Sequence, residues 1–438
     1  MPEGPLTTQE LRLSLEQLNI SATERVAVAV SGGADSLCLA VLLHKIQPIV
    51  ALIVDHGLRP ESANEAQQTF EKLQALGMQS EILVWRHDKV PTGNIQAAAR
   101  ESRYELMRDW CKRHQIKFLC TAHHMDDQAE TVLLRLARGS GVYGLAGMSE
   151  KRDLGEGVVL VRPVLDVSKQ RLVAALMEQN LEWVDDPSNQ NAAFDRVKVR
   201  NFLANPPLEG LRADRLAATA ERLRRSRKAL EFYQHRWLLD AVEFFDEGYA
   251  VLDRRQFVDV PEDISLRAMN SVIQFAGGGG YAPRFEKLLR LTDALLDENF
   301  KGYTLSGVQF TPLSACQILV SREKSALAPP ETIDEGNLVW DNRFSVDVSN
   351  CSSEHNLLIG PLEDHFRSRP DEDLTDLKEM IDNIPKVVLP TLPAFFEGER
   401  LIAVPHLGYK VANINTPILS HQWLSLSEIG KKTYGGMQ

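Results

Sequence analysis

Two short stretches concentrate the residue types that carry chemistry. The first is Ser31-Gly32-Gly33-Ala34-Asp35-Ser36. The apolar, β-branched run before it, 25–30, reads as a buried parallel strand, and 37–45 after it has helical apolar spacing. A glycine turn between a strand and a helix makes an anion site. Unpaired N–H groups of the first helical turn point outward, and the helix dipole adds partial positive charge. Gly32 and Gly33 admit a phosphate close to the backbone, and Ser31 and Ser36 add hydroxyl donors. A plain βα turn also carries a Gly-Gly pair, but the flanking strand, helix and serines favour phosphate binding. No Lys follows the glycines, so this is not the G-x-x-x-x-G-K-[ST] loop.

The second stretch is His123-His124-Met125-Asp126-Asp127-Gln128-Ala129-Glu130-Thr131. On a starting helix Asp126 and Glu130 share a face, with Asp127 three residues before Glu130. Like charges so spaced oppose each other by roughly a few tenths of a kcal/mol. Two accounts stand: acidic residues favour a first-turn dipole, or they hold Mg²⁺ or a cationic substrate and take up its protons. A zinc site on His123 and His124 is disfavoured, because adjacent turn residues rarely aim at one metal and no C-x-x-C pair exists. Arg100 and Arg103 share a helix face, either as surface residues or aimed at phosphates. Between Arg138 and Met148, Gly139, Gly141, Gly144 and Gly147 indicate a mobile loop, serving as lid or as connection.

These residues need a frame. Strands at 25–30, 48–54, 81–85 and 117–121 alternate with helices at 36–46, 61–76 and 95–114, the last capped by Asn94. That alternation implies βαβ units and a parallel sheet, whose ligands bind beyond the carboxyl ends of the strands. Residues 158–165 read as an edge strand carrying Pro163. Beyond 205 the character changes. A long helix over 211–235 bears Arg212, Arg215, Arg222, Arg224, Arg225, Arg227 and Lys228, as solvated surface or as a footprint on RNA. Helices at 265–275 and 284–296, a hairpin within 301–322 and a Pro-Pro linker precede alternating segments of β type. The expectation is an α/β nucleotide-binding domain (1–205), a mainly helical middle domain (206–328) and a small, mostly β C-terminal domain (329–438).

Composition bounds the function. A chain of 438 residues exceeds one ordinary core. Its 44% hydrophobic and 25% charged residues suit a soluble globular protein, and no apolar run approaches the roughly 20 residues that span a bilayer. The first ten residues lack a basic start and an apolar stretch, so a cytosolic location and no membrane partner are expected. Cys38, Cys111, Cys120, Cys316 and Cys351 are scattered, as reduced thiols are. The net charge of −11 argues mildly against a nucleic-acid partner unless basic residues cluster.

The turn at 31–36 resembles the S-G-G-x-D-S signature of the PP-loop ATP pyrophosphatases, which grip the pyrophosphate end of ATP and adenylate a substrate. A longer ordered series resembles the tRNA(Ile)-lysidine synthetase family across most of 25–200. It comprises Ser31–Ser36, Asp55-His56-x-Leu58-Arg59, Asn94-Ile95-Gln96, Ala99-Arg100, Arg103-Tyr104 and the 123–131 cluster. Arg138-Gly139-Ser140-Gly141 through Met148, Arg162-Pro163 and Asp186-Pro187-Ser188-Asn189 complete it. Relatives then carry a segment like R-N-R-I-R, where this chain has Arg196-Val197-Lys198-Val199-Arg200.

The resemblance implies ATP and Mg²⁺ as cofactors, and a tRNA(Ile) with a CAU anticodon and free L-lysine as partners. It implies that Ser31, Gly32, Gly33, Ala34, Asp35 and Ser36 bind ATP, with Asp35 also on Mg²⁺. Asp126, Asp127 and Glu130 would receive the lysine proton, and Arg100 and Arg138 would stabilise the adenylate. His123, Arg196 and Arg200 would contact substrate. Alternatives are a PP-loop tRNA thiolase, which usually needs paired or catalytic cysteines, an amide-forming synthetase on a small metabolite, and a non-catalytic nucleotide-binding module.

Overall fold

Val26, Val28 and Val30 enter one apolar cluster while Ala27 enters another, the two-residue period of a strand covered on both faces. This run forms β1 (Val26–Ala29) at the centre of the first of two units in the computed structural model. The structure describes residues 4–86, 95–183, 195–279, 282–333, 338–347, 357–362, 381, 384–411 and 418–421. The units comprise Met1–Arg227 and Lys228–Gln438.

In the first unit, α1 (Thr8–Gln17) begins with a reciprocal cap between Thr7 and Glu10. After β1 come α2 (Ala34–His44), β2 (Ile49–Asp55), α3 (Ser62–Ala75), β3 (Ser80–Val84) and α4 (Ile95–Arg113). There follow β4 (Phe118–Cys120), α5 (Met125–Ala137), α6 (Val142–Leu145), β5 (Lys151–Asp153) and β6 (Val159–Val161). Helices α7 (Lys169–Met177), α8 (Asp195–Ala204) and α9 (Ala213–Ala241) complete the set, the unit boundary falling within α9. The sheet order is β3-β2-β1-β4-β6-β5, parallel except for β5. The chain winds outward from β1 to β3, then crosses to β4 on the other side. The switch point between β1 and β4 is where an open α/β sheet has its ligand crevice.

One expectation is corrected. The strand expected within 158–165 is not at the edge, because β5 pairs along its outer side. Pro163 lies beyond β6, so its missing N–H interrupts no ladder. Asn94, the loop at 185–189 and the acidic run 371–373 fall outside the described residues.

In the second unit, β7 (Val242–Phe245), β8 (Tyr249–Asp253), α10 (Glu262–Gly277), α11 (Phe285–Leu296), β9 (Tyr303–Leu305), β10 (Val308–Pro312) and β11 (Gln317–Arg322) follow in turn. The expected hairpin is thus part of a five-stranded antiparallel sheet, β7-β8-β11-β10-β9, with α10 and α11 packed on its core. A second five-stranded sheet contains β12 (Glu331–Thr332), β15 (Leu357–Pro361), β16 (Pro393–Glu397), β17 (Arg400–Val404) and β18 (Tyr409–Lys410). A three-stranded sheet contains β13 (Leu338–Trp340), β14 (Phe344–Asp347) and β19 (Ile418–His421). A parallel-sheet domain, a helical middle and C-terminal antiparallel sheets are the architecture expected from the sequence.

Candidate active site

The turn between β1 and α2 is built for close approach. Gly32 has φ +82°, and a Cβ there would lie 2.6 Å from Thr69 Oγ1 on α3. The position therefore requires glycine twice over, for backbone conformation and for helix contact. Ser36 Oγ holds the turn from inside, accepting from Ser31 N at 3.1 Å and donating to Gly33 O at 3.1 Å. Gly33 caps α2 without any side-chain cap, so the first-turn amides face outward unfilled. Partial positive charge at that end suits a phosphate.

Across the switch point, β4 ends at Cys120 and leads through Thr121 to His123 and His124. The buried His124 ring lies among three carboxylates: Nε2 is 3.4 Å from Asp35 and 3.5 Å from Asp127, and Nδ1 is 3.5 Å from Asp126. Burial opposes its charge, but hydrogen bonds to Asp126 and Asp35 and the charges of Asp127 and Asp35 prevail, raising its pKa to about 10. Nδ1 also lies 3.4 Å from the Asp127 N–H, a contact that an imidazolium cannot accept. Three carboxylates outweigh one long amide contact, so His124 is a cation that ties the N-terminal turns of α2 and α5 together. Asp126 extends this tie to α7, accepting from Lys169 N at 2.8 Å. Burial works against ionisation of Asp126 and Asp127, yet His124 and backbone donors hold both below the usual carboxylate range. His123 behaves oppositely. Burial, with Arg162 nearby, holds it neutral, and its Nδ1 shares a 2.9 Å hydrogen bond with Thr121 Oγ1.

Glu130 is placed differently from the neighbouring acids. It is buried, and both oxygens are engaged by α8: Oε2 by Arg196 Nε at 3.0 Å and Oε1 by Arg200 Nε at 2.8 Å. Its carboxylate holds the two arginines in place rather than standing open. Both arginines remain 40% exposed; Arg200 Nη2 also donates to Glu130 Oε2 at 3.3 Å, and Arg196 Nη2 lies 3.9 Å from Asp127. Arg138 stands apart. It is exposed at the C-terminus of the 13-residue α5, about 16 Å along the axis from Asp127. Arg100 is exposed and stacks on Tyr104, its Cζ 5.3 Å from the ring centroid.

The glycine loop is anchored rather than loose. Gln128 exchanges two hydrogen bonds with the Met148 backbone at 2.9 and 2.6 Å, and Arg135 donates to Gly144 O and Gly147 O. Gly147 has φ +68°, and a Cβ there would meet Gln128 Oε1 at 2.6 Å. Lys169 is the site residue that sequence reasoning missed. Its ammonium lies 3.8 Å from Asp35 Oδ2, supplying the cation that the turn itself lacks. A Lys just after a serine at a helix start is the only local signal of it.

A PP-loop domain family matches residues 7–206. The tRNA(Ile)-lysidine synthase of Wolbachia sp. subsp. Brugia malayi is 35% identical, over 89% of this chain and 90% of that protein. That of Wolbachia pipientis wMel is 34% identical over 93% of this chain and 95% of that protein, and that of Ruegeria pomeroyi 38% identical over 75% and 78%. The chain belongs to the tRNA(Ile)-lysidine synthase family. It is accordingly an enzyme of the ligase type.

The departure at Val197-Lys198 from the lysidine synthase pattern is explained by α8. Val197 is buried, while Lys198 points outward and pairs with Asp195 at 3.1 Å. The outer arginines, Arg196 and Arg200, keep the contacts with Glu130. The cysteines weigh against a thiolase. Cys38, Cys111 and Cys120 are buried, and burial pushes each thiol up to about 12, far from a reactive thiolate. No helix among the described residues is long and apolar enough to cross a membrane.

Proposed function

We propose that this lysidine synthase joins free L-lysine to C2 of the wobble cytidine of a tRNA(Ile) bearing a CAU anticodon, through an adenylated cytidine. The supporting observation is the α2 N-terminus: its amides carry no side-chain cap, and the left-handed Gly32 sets the turn that leads into it at the switch point. In this reading the turn at 31–36 and Lys169 receive the ATP phosphates. The cytidine C2 oxygen attacks the α-phosphorus as the bond to the β-phosphate breaks, and pyrophosphate leaves. The ε-amine of lysine then attacks C2, and AMP departs with the oxygen.

Preorganised amides and cations lower the cost of charge building on the leaving pyrophosphate. The lysine ammonium, with a free pKa of about 10.4, must give up a proton before attack. Asp127 is the acceptor assigned here: Glu130 is filled by two arginines, and Asp126 is tied to α7. Asp127 is held through Oδ2, whereas its Oδ1 has only a long approach from Arg196, 3.9 Å, among the described residues. Arg196 and Arg200, held by Glu130 and 40% exposed, are the cations offered to the RNA or the adenylate. His123, half-buried and held neutral near Asp127, is assigned to the same substrate position.

Mg²⁺ fits this residue set. Asp35 Oδ1 is buried without a hydrogen-bond partner, an oxygen free to take a hard cation. Among the described residues no group of three or more potential ligands forms a closed metal cage. One or two carboxylates with substrate phosphates is how Mg²⁺ is usually held, where it neutralises phosphate charge.

The test is ATP–pyrophosphate exchange with and without tRNA transcript, followed by incorporation of labelled lysine. Exchange that requires the transcript, with lysine then retained in the RNA, is the expected result. Turnover indifferent to tRNA, or capture of another amine in place of lysine, overturns the reading.

A further inference from the structure

One group of arginines near the sheet's carboxyl edge gathers positive charge around a single aromatic ring. Arg100 on α4 and Arg152 on β5 both lie over Tyr104, with Cζ atoms 5.3 and 5.9 Å from its ring centroid. Arg162, just beyond β6, is 2% exposed. Its Nη1 donates to Ser149 O at 2.6 Å, while its Nε is buried without a partner. Among the described residues none of these three guanidinium groups pairs with a carboxylate. Burial and the neighbouring Arg100, Arg152 and Arg135 together push the Arg162 pKa down to about 10, so like charges crowd here uncompensated. A buried guanidinium with an unused donor is unfavourable unless an anion completes it.

We propose that Arg100, Arg152 and Arg162, set around Tyr104, form a seat for an RNA phosphodiester next to the reacting nucleotide. The inference rests on the tRNA reading above and adds a binding site to it. Position favours an RNA phosphate over the ATP tail. The uncapped amides that suit the ATP tail follow β1, whereas Arg162 follows β6, two strands away and about 10 Å at ordinary strand spacing. Between them β4 delivers His123, which Arg162 and Arg100 help to keep neutral. A nucleotide reacting beside His123 has these arginines on its β6 side, within reach of a flanking phosphate in the proposed seat. Stacking on Tyr104 restrains Arg100 and Arg152, so less side-chain freedom is lost when the anion arrives.

The test uses the full chain and the variants Arg152→Gln, Arg100→Gln and Arg152→Lys. Arg162 is left intact, because its burial would turn its loss into a test of folding. Binding of a tRNA(Ile) transcript is titrated across salt concentrations, and ATP binding is measured without RNA. Each Gln variant is expected to weaken transcript binding about five- to tenfold and to reduce the salt slope by about one, with R152K restoring most of the affinity. In the Arg152 variants ATP affinity should stay within about twofold of the parent. Unchanged transcript affinity and salt slope in both Gln variants would overturn the seat while leaving tRNA binding in place. A loss of ATP affinity instead would also overturn it, moving the anion to the nucleotide. Failure of the parent protein to bind the transcript at all would remove the tRNA reading itself.

Discussion

Substituting Gly32 tests the phosphate turn by two separable routes. In Gly32→Ala the residue must hold φ +82°, which costs an L-residue about 1–2 kcal/mol. The new methyl also meets Thr69 Oγ1 at 2.6 Å, an overpacking of about 1–3 kcal/mol. The hydroxyl cannot turn aside freely, since it donates to Glu65 O at 2.9 Å and Thr69 is buried. The single variant should therefore lose about 2–5 kcal/mol, with ATP affinity falling as the turn is displaced. Thr69→Ala removes the obstructing oxygen and on its own forfeits a hydrogen bond worth about 0.5–1.5 kcal/mol. In the double variant the steric part vanishes and the φ part stays. Its destabilisation should fall short of the sum of the singles by about 1–3 kcal/mol. Denaturant titration of the four proteins measures this coupling, and ATP calorimetry shows whether the turn recovers. Additivity within about 0.5 kcal/mol would refute the claim that the turn presses on α3.

Glu130→Gln should cost about 1.5 kcal/mol, the lower end for charge-assisted hydrogen bonds because Arg196 and Arg200 are 40% exposed, and should reduce lysine incorporation; denaturation and incorporation assays check both. His124 has its folded pKa raised above the ordinary 6.5 to about 10, so its stabilisation is full below about pH 6.5 and is lost as pH rises toward 10. Melting temperatures from pH 6 to 10 should fall in the parent and stay flatter in His124→Gln; equal slopes would remove the imidazolium. Lys169→Met should raise the KM for ATP several-fold with transcript affinity unchanged, as read by pyrophosphate exchange and RNA titration. Iodoacetamide at pH 8 should leave Cys38, Cys111 and Cys120 unmodified in the native protein, since each thiol is buried and its pKa raised to about 12; peptide mapping decides it.

What could be read from the chain was what is local. The turn at 31–36 lies between one strand and one helix, and the 123–131 cluster follows directly on β4, so adjacent residues carry both signals. The use of Glu130 was not legible, because its partners Arg196 and Arg200 come 66 and 70 residues later on a separate helix. Lys169 likewise reaches Asp35 only through the packing of α7 beside α2. Four glycines suggested mobility at 139–147, but whether such a loop moves depends on what holds it, and Gln128 and Arg135 do so from α5. The placement of β6 inside the sheet depended on β5, a three-residue strand too short to show a period.

The imidazolium of His124 is surrounded by Asp35, Asp126 and Asp127, with Lys169 alongside. With Arg196 Nη2 3.9 Å from Asp127, the mouth of the phosphate turn carries three negative and three positive side chains before any substrate arrives. A polyanionic nucleotide gains nothing from that local balance, so its attraction must come from backbone dipoles and from whatever positive charge travels with it. Nucleotide and counter-charge then enter together as one thermodynamic event, and ATP stripped of its cations would bind more weakly.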